Sequence, residues 1–249
     1  MKKNGAIHAQ ADVTADPIRE KAGAIREMFG GIAHRYDLLN HLLSANIDKR
    51  WRRVCVKAVA KQVNRKQPQI LDVGCGTGDL SIEFARLGPV TGSDFCLPML
   101  KLGAKKTVGM KNGQTVRLLT ADALRLPFRD DSFDGVVSAF VLRNLADLSS
   151  GLEEMFRVVK PGGVVAALEF AMPSSRWLGF CYRLYFSRIL PRLGKIISGS
   201  TFAYTYLPES VRGFLSPEEL TTRFQKAGLR DAECRRLTGG IVVMIVARK

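Results

Sequence analysis

The stretch from Ile70 to Leu80 constrains the fold of this chain more than any other. It reads Ile-Leu-Asp-Val-Gly-Cys-Gly-Thr-Gly-Asp-Leu, a short apolar strand that leads through three alternate glycines into the start of a helix. Glycine is needed where a chain turns sharply from strand to helix while a ligand lies against bare backbone. The free N–H groups and the positive dipole end of the next helix favour an anionic group. The stretch therefore predicts a ligand site at the end of a buried strand.

The spacing of these glycines narrows the choice of ligand. A dinucleotide fingerprint, G-x-G-x-x-G, would place its third glycine at position 79, but this chain has Asp79 there and completes G-x-G-x-G at Gly78. With Asp72 just before it, this spacing favours S-adenosylmethionine (SAM) over an ordinary glycine-rich turn. Asp72 suits the methionine amino group, and its alternative role is to brace the loop. Asp94 follows 22 residues later, near the offset of about 20 at which an acidic residue meets ribose hydroxyls.

Apolar segments and helical periodicity alternate along the rest of the chain. Further strands are predicted at 89–95, 116–120, 135–140 and 164–170, with helices between them. Continuous apolar strands separated by helices indicate a parallel sheet buried on both faces. The last two strands, near 231–237 and 241–247, are separated by a glycine pair, which predicts an antiparallel hairpin. The predicted fold class is therefore α/β.

The domain organisation follows from length and composition. We predict a mobile arm over residues 1–24 and a single domain over residues 25–249. Residues 173–216 depart from the sheet pattern with alternating basic and aromatic side chains, which predicts an insertion that faces the substrate or a membrane. No segment has the ~20 apolar residues of a bilayer-spanning helix, and no secretory signal is expected. The five cysteines include no C-x-x-C pair, which disfavours a disulfide framework and a metal site and fits a reducing cytoplasm.

Positive charge is concentrated in the two flanks of the chain. Of the net charge of +15, residues 1–68 and 171–249 carry +8 each, and residues 69–170 carry −1. Such patches favour a polyanion, either nucleic acid or an anionic membrane surface, and a merely solvated basic surface is the alternative. The first flank includes a basic cluster, Lys49 to Arg53, around a tryptophan.

An amphipathic helix is predicted before the glycine loop. Met28, Ile32 and Tyr36 recur at i, i+4 and i+8, which marks one helix face that could cover the loop. His34 lies ~200° around the helix from Tyr36 and is predicted to face away.

Five motifs and one further stretch give the chain a family resemblance. They resemble the demethylmenaquinone and ubiquinone-precursor C-methyltransferases, from about residue 28 to the C-terminus. The glycine loop and the Lys-Pro-Gly-Gly turn occur in many SAM enzymes, whereas Tyr-Asp-x-x-Asn at 36–40, Leu-Arg-Asn at 142–144 and the stretch at 203–208 are much more specific. The segments are Phe29-Gly-Gly-Ile-Ala-His-Arg-Tyr-Asp-Leu-Leu-Asn40, Leu71-Asp-Val-Gly-Cys-Gly-Thr-Gly-Asp-Leu80, Ala121-Asp-Ala-Leu-Arg-Leu-Pro-Phe128, Leu142-Arg-Asn144, Lys160-Pro-Gly-Gly163 with Leu168-Glu-Phe170, and Ala203-Tyr-Thr-Tyr-Leu-Pro208.

The resemblance implies a Rossmann-like class I SAM-dependent methyltransferase with a seven-stranded, mostly parallel sheet and a helical insertion after the fifth strand. The implied cofactor contacts, besides Asp72, fall on Gly74, Gly76 and Thr77 in the glycine loop, on Asp94 at the ribose, and on Asp122 and Ala123 beside the adenine. Helix capping by Thr77 and turn closure by Asp122 are the alternatives. Ala139 is a departure, because many relatives carry a serine there.

The implied reaction is C-methylation of a prenylated quinol, with demethylmenaquinol favoured and a ubiquinone-precursor benzoquinol as the alternative. An electron-rich ring carbon must be placed in line with the methyl group, and loss of a phenolic proton would make that carbon more nucleophilic. Arg143, just after the fourth strand, is the first candidate to help electrostatically; its alternative role is a structural ion pair. Asp37 and Tyr36 are the second-rank catalytic candidates, and core or capping roles are their alternatives.

The sequence also predicts partners and leaves two other functions to consider. The expected partners are the quinol and an anionic membrane surface, at the inner face of the membrane, with a homodimer or a complex with other quinone-biosynthesis enzymes possible. A nucleic-acid methyltransferase is the main rival, because the flanks are basic. It is disfavoured because the chain has neither a Pro-Cys pair nor an Asn/Asp-Pro-Pro-aromatic motif after the fourth strand. A non-catalytic SAM-binding module is a third class.

Overall fold

Strands and helices alternate along the computed structural model, which describes residues 17–44, 46–110, 114–173, 175–184 and 202–249. The helices in these ranges are α1 Pro17–Leu43, α2 Ile47–Gln62, α3 Asp79–Phe84, α4 Leu97–Thr107, α5 Leu148–Val158, α6 Arg176–Leu184, α7 Phe202–Arg212 and α8 Pro217–Lys226. The strands are β1 Ile70–Val73, β2 Val90–Asp94, β3 Val116–Thr120, β4 Phe133–Ala139, β5 Val159–Phe170, β6 Arg230–Leu237 and β7 Val242–Arg248.

The seven strands form one sheet in the order β3-β2-β1-β4-β5-β7-β6. The pairs from β3 to β5 are parallel, whereas β7 runs antiparallel to both β5 and β6. The predicted α/β fold with a C-terminal antiparallel hairpin is therefore confirmed. The strand order reverses between β1 and β4, and sheets of this kind bind ligands in the crevice outside such a switch point.

Apolar side chains cover both faces of the sheet. On one face, β strands pack against Leu152 and Met155 of α5 and Phe224 of α8. On the other face, they pack against Trp51 of α2 and Phe84 of α3. All four residues of β1 are buried, as expected for a central strand between two helical layers.

Two element boundaries differ by several residues from the sequence-based expectations. Helix α1 begins at Pro17 rather than near Ile25, so residues 17–24 of the predicted arm lie in this helix, and residues 1–16 lie outside the described part. Strand β5 begins at Val159, so the Lys-Pro-Gly-Gly segment belongs to a strand with an irregular register rather than to a free turn. Of the predicted insertion, α6 and α7 are described and residues 185–201 are not.

In the part of the chain that the structure describes, no helix is long and apolar enough to cross a membrane.

Candidate active site

A cleft opens where the parallel strands β1 to β4 end. It encloses about 1090 Å³, including the space open to solvent. Its walls come from the glycine loop, the segments after β2, β3 and β4, and the inward face of α1, which confirms that this helix covers the loop. The lining residues that the argument uses are Phe29, Tyr36, Asp72, Gly74, Gly76, Thr77, Asp94, Asp122, Ala123, Ala139, Phe140, Val141, Asn144 and Leu145.

The glycine loop has the backbone conformation that its sequence demands. Gly74 has φ +68°, and a β-carbon there would lie 2.5 Å from both methyl groups of Val141. Gly78, at φ +83°, caps the start of α3. Since other residues rarely adopt such angles, the loop presents bare backbone to the cleft.

Asp94 ties the end of β2 to the glycine loop. Its Oδ2 accepts a hydrogen bond from the Gly76 N–H at 2.8 Å, and its Oδ1 accepts one from the Cys96 N–H at 2.8 Å. Burial raises the pKa of this carboxyl, although the backbone N–H groups of Cys96, Gly76 and Phe95 favour the charged form. The remaining acceptor sites of the carboxylate are available to a ligand in the cleft.

Asp72 lies at the base of the loop and is almost completely buried. Its Oδ2 accepts a hydrogen bond from the Ser81 hydroxyl at 2.5 Å. Burial raises the pKa of Asp72 to about 7, the Ser81 hydrogen bond opposes this rise, and the nearby Asp94 charge adds to it. A cation placed beside Asp72 would therefore restore its charged form.

The adenine-side candidates and the predicted departure also line the cleft. Asp122 is exposed, and its Oδ1 accepts a hydrogen bond from the Leu124 N–H at 2.9 Å, so its alternative role in closing a turn is present in the structure. Ala123 follows it along the same wall. Ala139 lines the cleft at the end of β4 without a polar group.

Thr77 and Asp37 contact each other at the edge of the cleft. The Thr77 hydroxyl donates to Asp37 Oδ1 at 2.5 Å and accepts from the Lys106 ammonium at 2.8 Å. Thr77 does not cap α3, whose N-cap is Gly78. Thr77 lines the cleft, whereas Asp37 does not, and a catalytic role for Asp37 stays a prediction.

Tyr36 lines the cleft from the covering helix, as the predicted helix face requires. Its ring packs edge-on against Phe29 at a centroid distance of 5.8 Å. His34 is exposed, which confirms that it faces away.

Arg143 is placed in an ion pair rather than in the cleft lining. Its Nη1 lies 2.6 Å from Glu169 Oε1 and donates to the Phe140 carbonyl at 2.7 Å, while its guanidinium lies over the ring of Phe170. Both charged side chains are buried, since Arg143 is 6% exposed and Glu169 1%. The structural ion pair, given above as the alternative role, is therefore present in the structure, and the catalytic role of Arg143 stays a prediction.

The neighbouring Asn144 lines the cleft instead and was not among the predicted site residues. Its Nδ2 donates to the Phe140 carbonyl at 3.2 Å, and its Oδ1 accepts from the Tyr206 hydroxyl at 2.9 Å. The motif Leu142-Arg143-Asn144 was the available signal. Sequence alone could not decide which of its two polar side chains turns inward.

The basic cluster on α2 is only partly a surface feature. Trp51 and Arg52 are buried, and Arg52 lines the cleft, forms an ion pair with Asp48 and lies 3.6 Å from Asp79. Together with His41, these two carboxylates could offer three ligand atoms to a metal. Because the Arg52 cation already lies between them, the group is an ion-pair network rather than a metal centre.

The comparisons with known proteins decide the family. Residues 17–249 match the ubiE/COQ5 methyltransferase family. The chain belongs to this family. It is 46% identical to the demethylmenaquinone methyltransferase of Deinococcus radiodurans over 234 residues, which cover 93% of this chain and 95% of that protein. It is 42% identical to the ubiquinone/menaquinone biosynthesis C-methyltransferase UbiE of Geobacter sulfurreducens, with 95% of this chain and 93% of that protein covered.

Solved structures support the fold. The [4+2]-cyclase SpnF superposes with a TM-score of 0.64 at 18% identity, over 92% of this chain and 96% of that chain. A SAM-dependent methyltransferase of Thermotoga maritima, a possible histamine N-methyltransferase, superposes with a TM-score of 0.60 at 19% identity, over 90% of this chain and 99% of that chain. At these identities the likeness establishes the fold only. Family and fold together make this chain a SAM-dependent methyltransferase.

Proposed function

We propose that this methyltransferase adds a methyl group from SAM to a ring carbon of a prenylated quinol, with demethylmenaquinol as the preferred substrate. The observation that carries the proposal is the conjunction of the cofactor-type cleft with relatives of 46% and 45% identity that are named demethylmenaquinone methyltransferases. Relatives named for both quinones, at 39–42% identity, support a benzoquinol as the second candidate.

The side chains around the glycine loop fit SAM chemically. Asp72 would accept the charged amino group of the methionine part, Asp94 the ribose hydroxyls, and Asp122 with Ala123 would flank the adenine. At Gly76 an added β-carbon would meet only the Met99 methyl group, at 3.7 Å, so the bare backbone there leaves room for the ligand to approach. When bound, SAM supplies an electrophilic methyl group on a sulfonium.

The apolar part of the lining suits the quinol ring. Phe29 from α1 and Phe140, Val141 and Leu145 after β4 form apolar walls of the same cleft. Asn144 offers amide atoms to a ring oxygen, and its orientation is fixed by two hydrogen bonds. We propose that these apolar walls and Asn144 orient the quinol ring, because much of the catalysis of carbon methylation can be positioning.

A methyl-transfer assay tests the reaction. The purified enzyme is incubated with labelled SAM and with reduced demethylmenaquinol, a ubiquinone-precursor benzoquinol, or total RNA. We expect methylation of the naphthoquinol on carbon, established by mass spectrometry and NMR of the product, and slower methylation of the benzoquinol. Methylation of RNA with no transfer to either quinol would show the proposal to be wrong.

The prenylated substrate implies contact with a membrane, and α6 is the proposed contact. Its Trp177 and Phe180 stack on each other with exposures of 74% and 53%. Leu178 of the same helix packs closely against Gly239, while Trp51 donates to Thr238 at 2.8 Å. Helix α6 and the start of α2 therefore flank the same turn between β6 and β7.

This arrangement revises the part that the α2 cluster can play at a membrane. Its exposed members are Lys49, Arg50 and Arg53, of which Arg53 lies 3.5 Å from Glu83, so Lys49 and Arg50 are the proposed contacts for anionic headgroups. Amphipathic surfaces bind such membranes through apolar burial and through ~1 kcal/mol per well-placed cation. We expect binding to vesicles that contain phosphatidylglycerol, weakened by salt.

Vesicle flotation separates the two contributions. The double variant Trp177→Ser/Phe180→Ser should lose binding, whereas Val108→Ser, which removes an exposed apolar side chain after α4, should not. Equal binding of the wild type to anionic and neutral vesicles would contradict the membrane proposal.

A further inference from the structure

The ammonium of Lys106, near the end of α4, joins the helix that covers the cleft to the glycine loop. It lies 2.5 Å from Asp37 Oδ2 on α1, 2.7 Å from Asp79 Oδ1 and 2.8 Å from Thr77 Oγ1. A lysine ammonium has three N–H donors, and these contacts use all of them. One side chain outside the cleft lining thus connects three elements at its edge.

The contacts around Lys106 also fix the Thr77 hydroxyl. Since Thr77 accepts from Lys106 and donates to the Oδ1 of Asp37, both oxygens of the Asp37 carboxylate are used. Thr77 is almost completely buried and lines the cleft together with Asp79. A shift of Asp37 would therefore change the hydrogen bonds of Thr77 in the glycine loop and, through Lys106, those of Asp79.

Helix α1 also reaches the loop through other contacts. Its apolar seam against the start of α4 joins the buried Ala33, Cys96 and Met99, with Phe29, Tyr36 and Leu102 packed against them. His41 Nε2 lies 3.8 Å from Asp79 Oδ2, and at the other side of the cleft Lys21 donates to the Leu145 carbonyl at 2.7 Å. Helix α1 therefore crosses the cleft between two lysine contacts, and Lys106 is the cation that joins it to both Thr77 and Asp79.

We propose that Asp37 and Lys106 are positioning residues that hold α1 onto the glycine loop and so retain the cofactor, and that neither touches the reacting atoms. The inference rests on the proposed function only in taking SAM as the ligand. It gives Asp37, a catalytic candidate by sequence, a different role in the same site.

Substitution of Lys106 separates a positioning role from a catalytic one. Lys106→Met removes the cation and leaves the Asp37 and Asp79 carboxylates facing each other. We expect affinity for S-adenosylhomocysteine to fall about three- to tenfold, as for the loss of partly exposed ion pairs. The KM for SAM should rise similarly, while kcat at saturating SAM and the KM for the quinol stay within about twofold. Lys105→Met, on the neighbouring exposed lysine, is the matched control and should change nothing.

Asp37 supplies the second arm of the test. Asp37→Asn should weaken binding less than Lys106→Met, and the double variant should bind no worse than Lys106→Met alone, because the repulsion between the carboxylates is removed. Lys106→Arg should recover part of the affinity. Hydrogen exchange in the unliganded Lys106→Met protein should quicken over residues 29–37 and remain unchanged in β1 and β4.

The outcomes distinguish the inference from its premise. A uniform increase in exchange with a lower melting temperature would make Lys106 a general stability residue and overturn the inference. A lower kcat in Asp37→Asn with unchanged KM for SAM would return Asp37 to catalysis. If the wild type fails to bind S-adenosylhomocysteine, the proposed function fails. Unchanged hydrogen exchange over residues 29–37 in the Lys106→Met protein would then overturn the positioning role of Asp37 and Lys106 as well.

Discussion

Replacement of Asp94 should damage both the cofactor site and the loop that forms it. The carboxylate has about four acceptor sites, of which two are used by the N–H groups of Gly76 and Cys96. The other two are proposed to receive ribose hydroxyls. Asp94→Ala therefore removes the proposed ribose acceptor and leaves the N–H groups of Gly76 and Cys96 without their carboxylate acceptor.

The magnitude follows from these contacts. A hydrogen bond to a charged group contributes ~1.5–3 kcal/mol, so loss of the ribose contact alone should weaken S-adenosylhomocysteine binding at least tenfold. The two orphaned N–H groups should lower the free energy of unfolding by about 2–4 kcal/mol, since water entering the space left by the carboxylate satisfies them in part. Asp94→Asn is not conservative either, because its NH2 would face a backbone N–H that now lies 2.8 Å from an oxygen.

Calorimetry with S-adenosylhomocysteine, alongside thermal melts, measures both effects. Glu233→Ala, which removes an exposed carboxylate from β6, is the charge-matched control and should behave as the wild type. An Asp94→Ala protein that is folded and binds within twofold of the wild type would refute the reasoning and remove Asp94 from the cofactor site.

Three further outcomes are expected. Because the pKa of Asp72 is raised from 3.8 to about 7, S-adenosylhomocysteine affinity should fall as the pH drops below about 7. The contribution of the protonated carboxyl to folding stability should be lost as the pH rises from about 4 through 7. Asp72→Asn should flatten both pH profiles, measured by calorimetry and by thermal melts. Arg143→Ala should destabilise by about 3–5 kcal/mol, because it leaves the Glu169 charge buried and unpaired, and Glu169→Gln in the same chain should restore part; a normal melt with a 100-fold lower kcat would instead restore Arg143 as catalytic. Gly31→Ala should raise the melting temperature, since its β-carbon meets nothing within 4 Å, whereas Gly103→Ala should lower it, since its β-carbon would lie 2.9 Å from a leucine methyl group.

The element order was predictable because local signals agree along most of the chain. The apolar run before Gly74 could only be a buried central strand, and the glycine spacing placed the ligand at its end. The start of α1 was not predictable in this way. Residues 17–24 have few large apolar side chains, so the helical periodicity that identifies Ile25 onward is absent from them, although the structure continues the same helix back to Pro17.

The charges were the hardest part to place from sequence. The sequence from Lys49 to Arg53 predicts one basic surface cluster, yet Arg52 is buried and lines the cleft. The i, i+4 pair of Asp48 and Arg52 was a signal that favours such an arrangement. The contacts of Lys106 left no comparable signal, because Asp37, Thr77 and Asp79 come from two other segments and meet it only through the fold.

The buried carboxylates differ in where their compensating charge comes from. Glu169 has the Arg143 guanidinium at 2.6 Å, so the chain itself neutralises it. Within the described part of the chain, no cation forms an ion pair with Asp72 or Asp94; they accept only uncharged donors, and burial raises the pKa of both. Burying such groups costs stability unless a partner is supplied. We therefore interpret Glu169 as part of the scaffold, and we keep Asp72 and Asp94 as the proposed acceptors for the ammonium and hydroxyl groups of the cofactor.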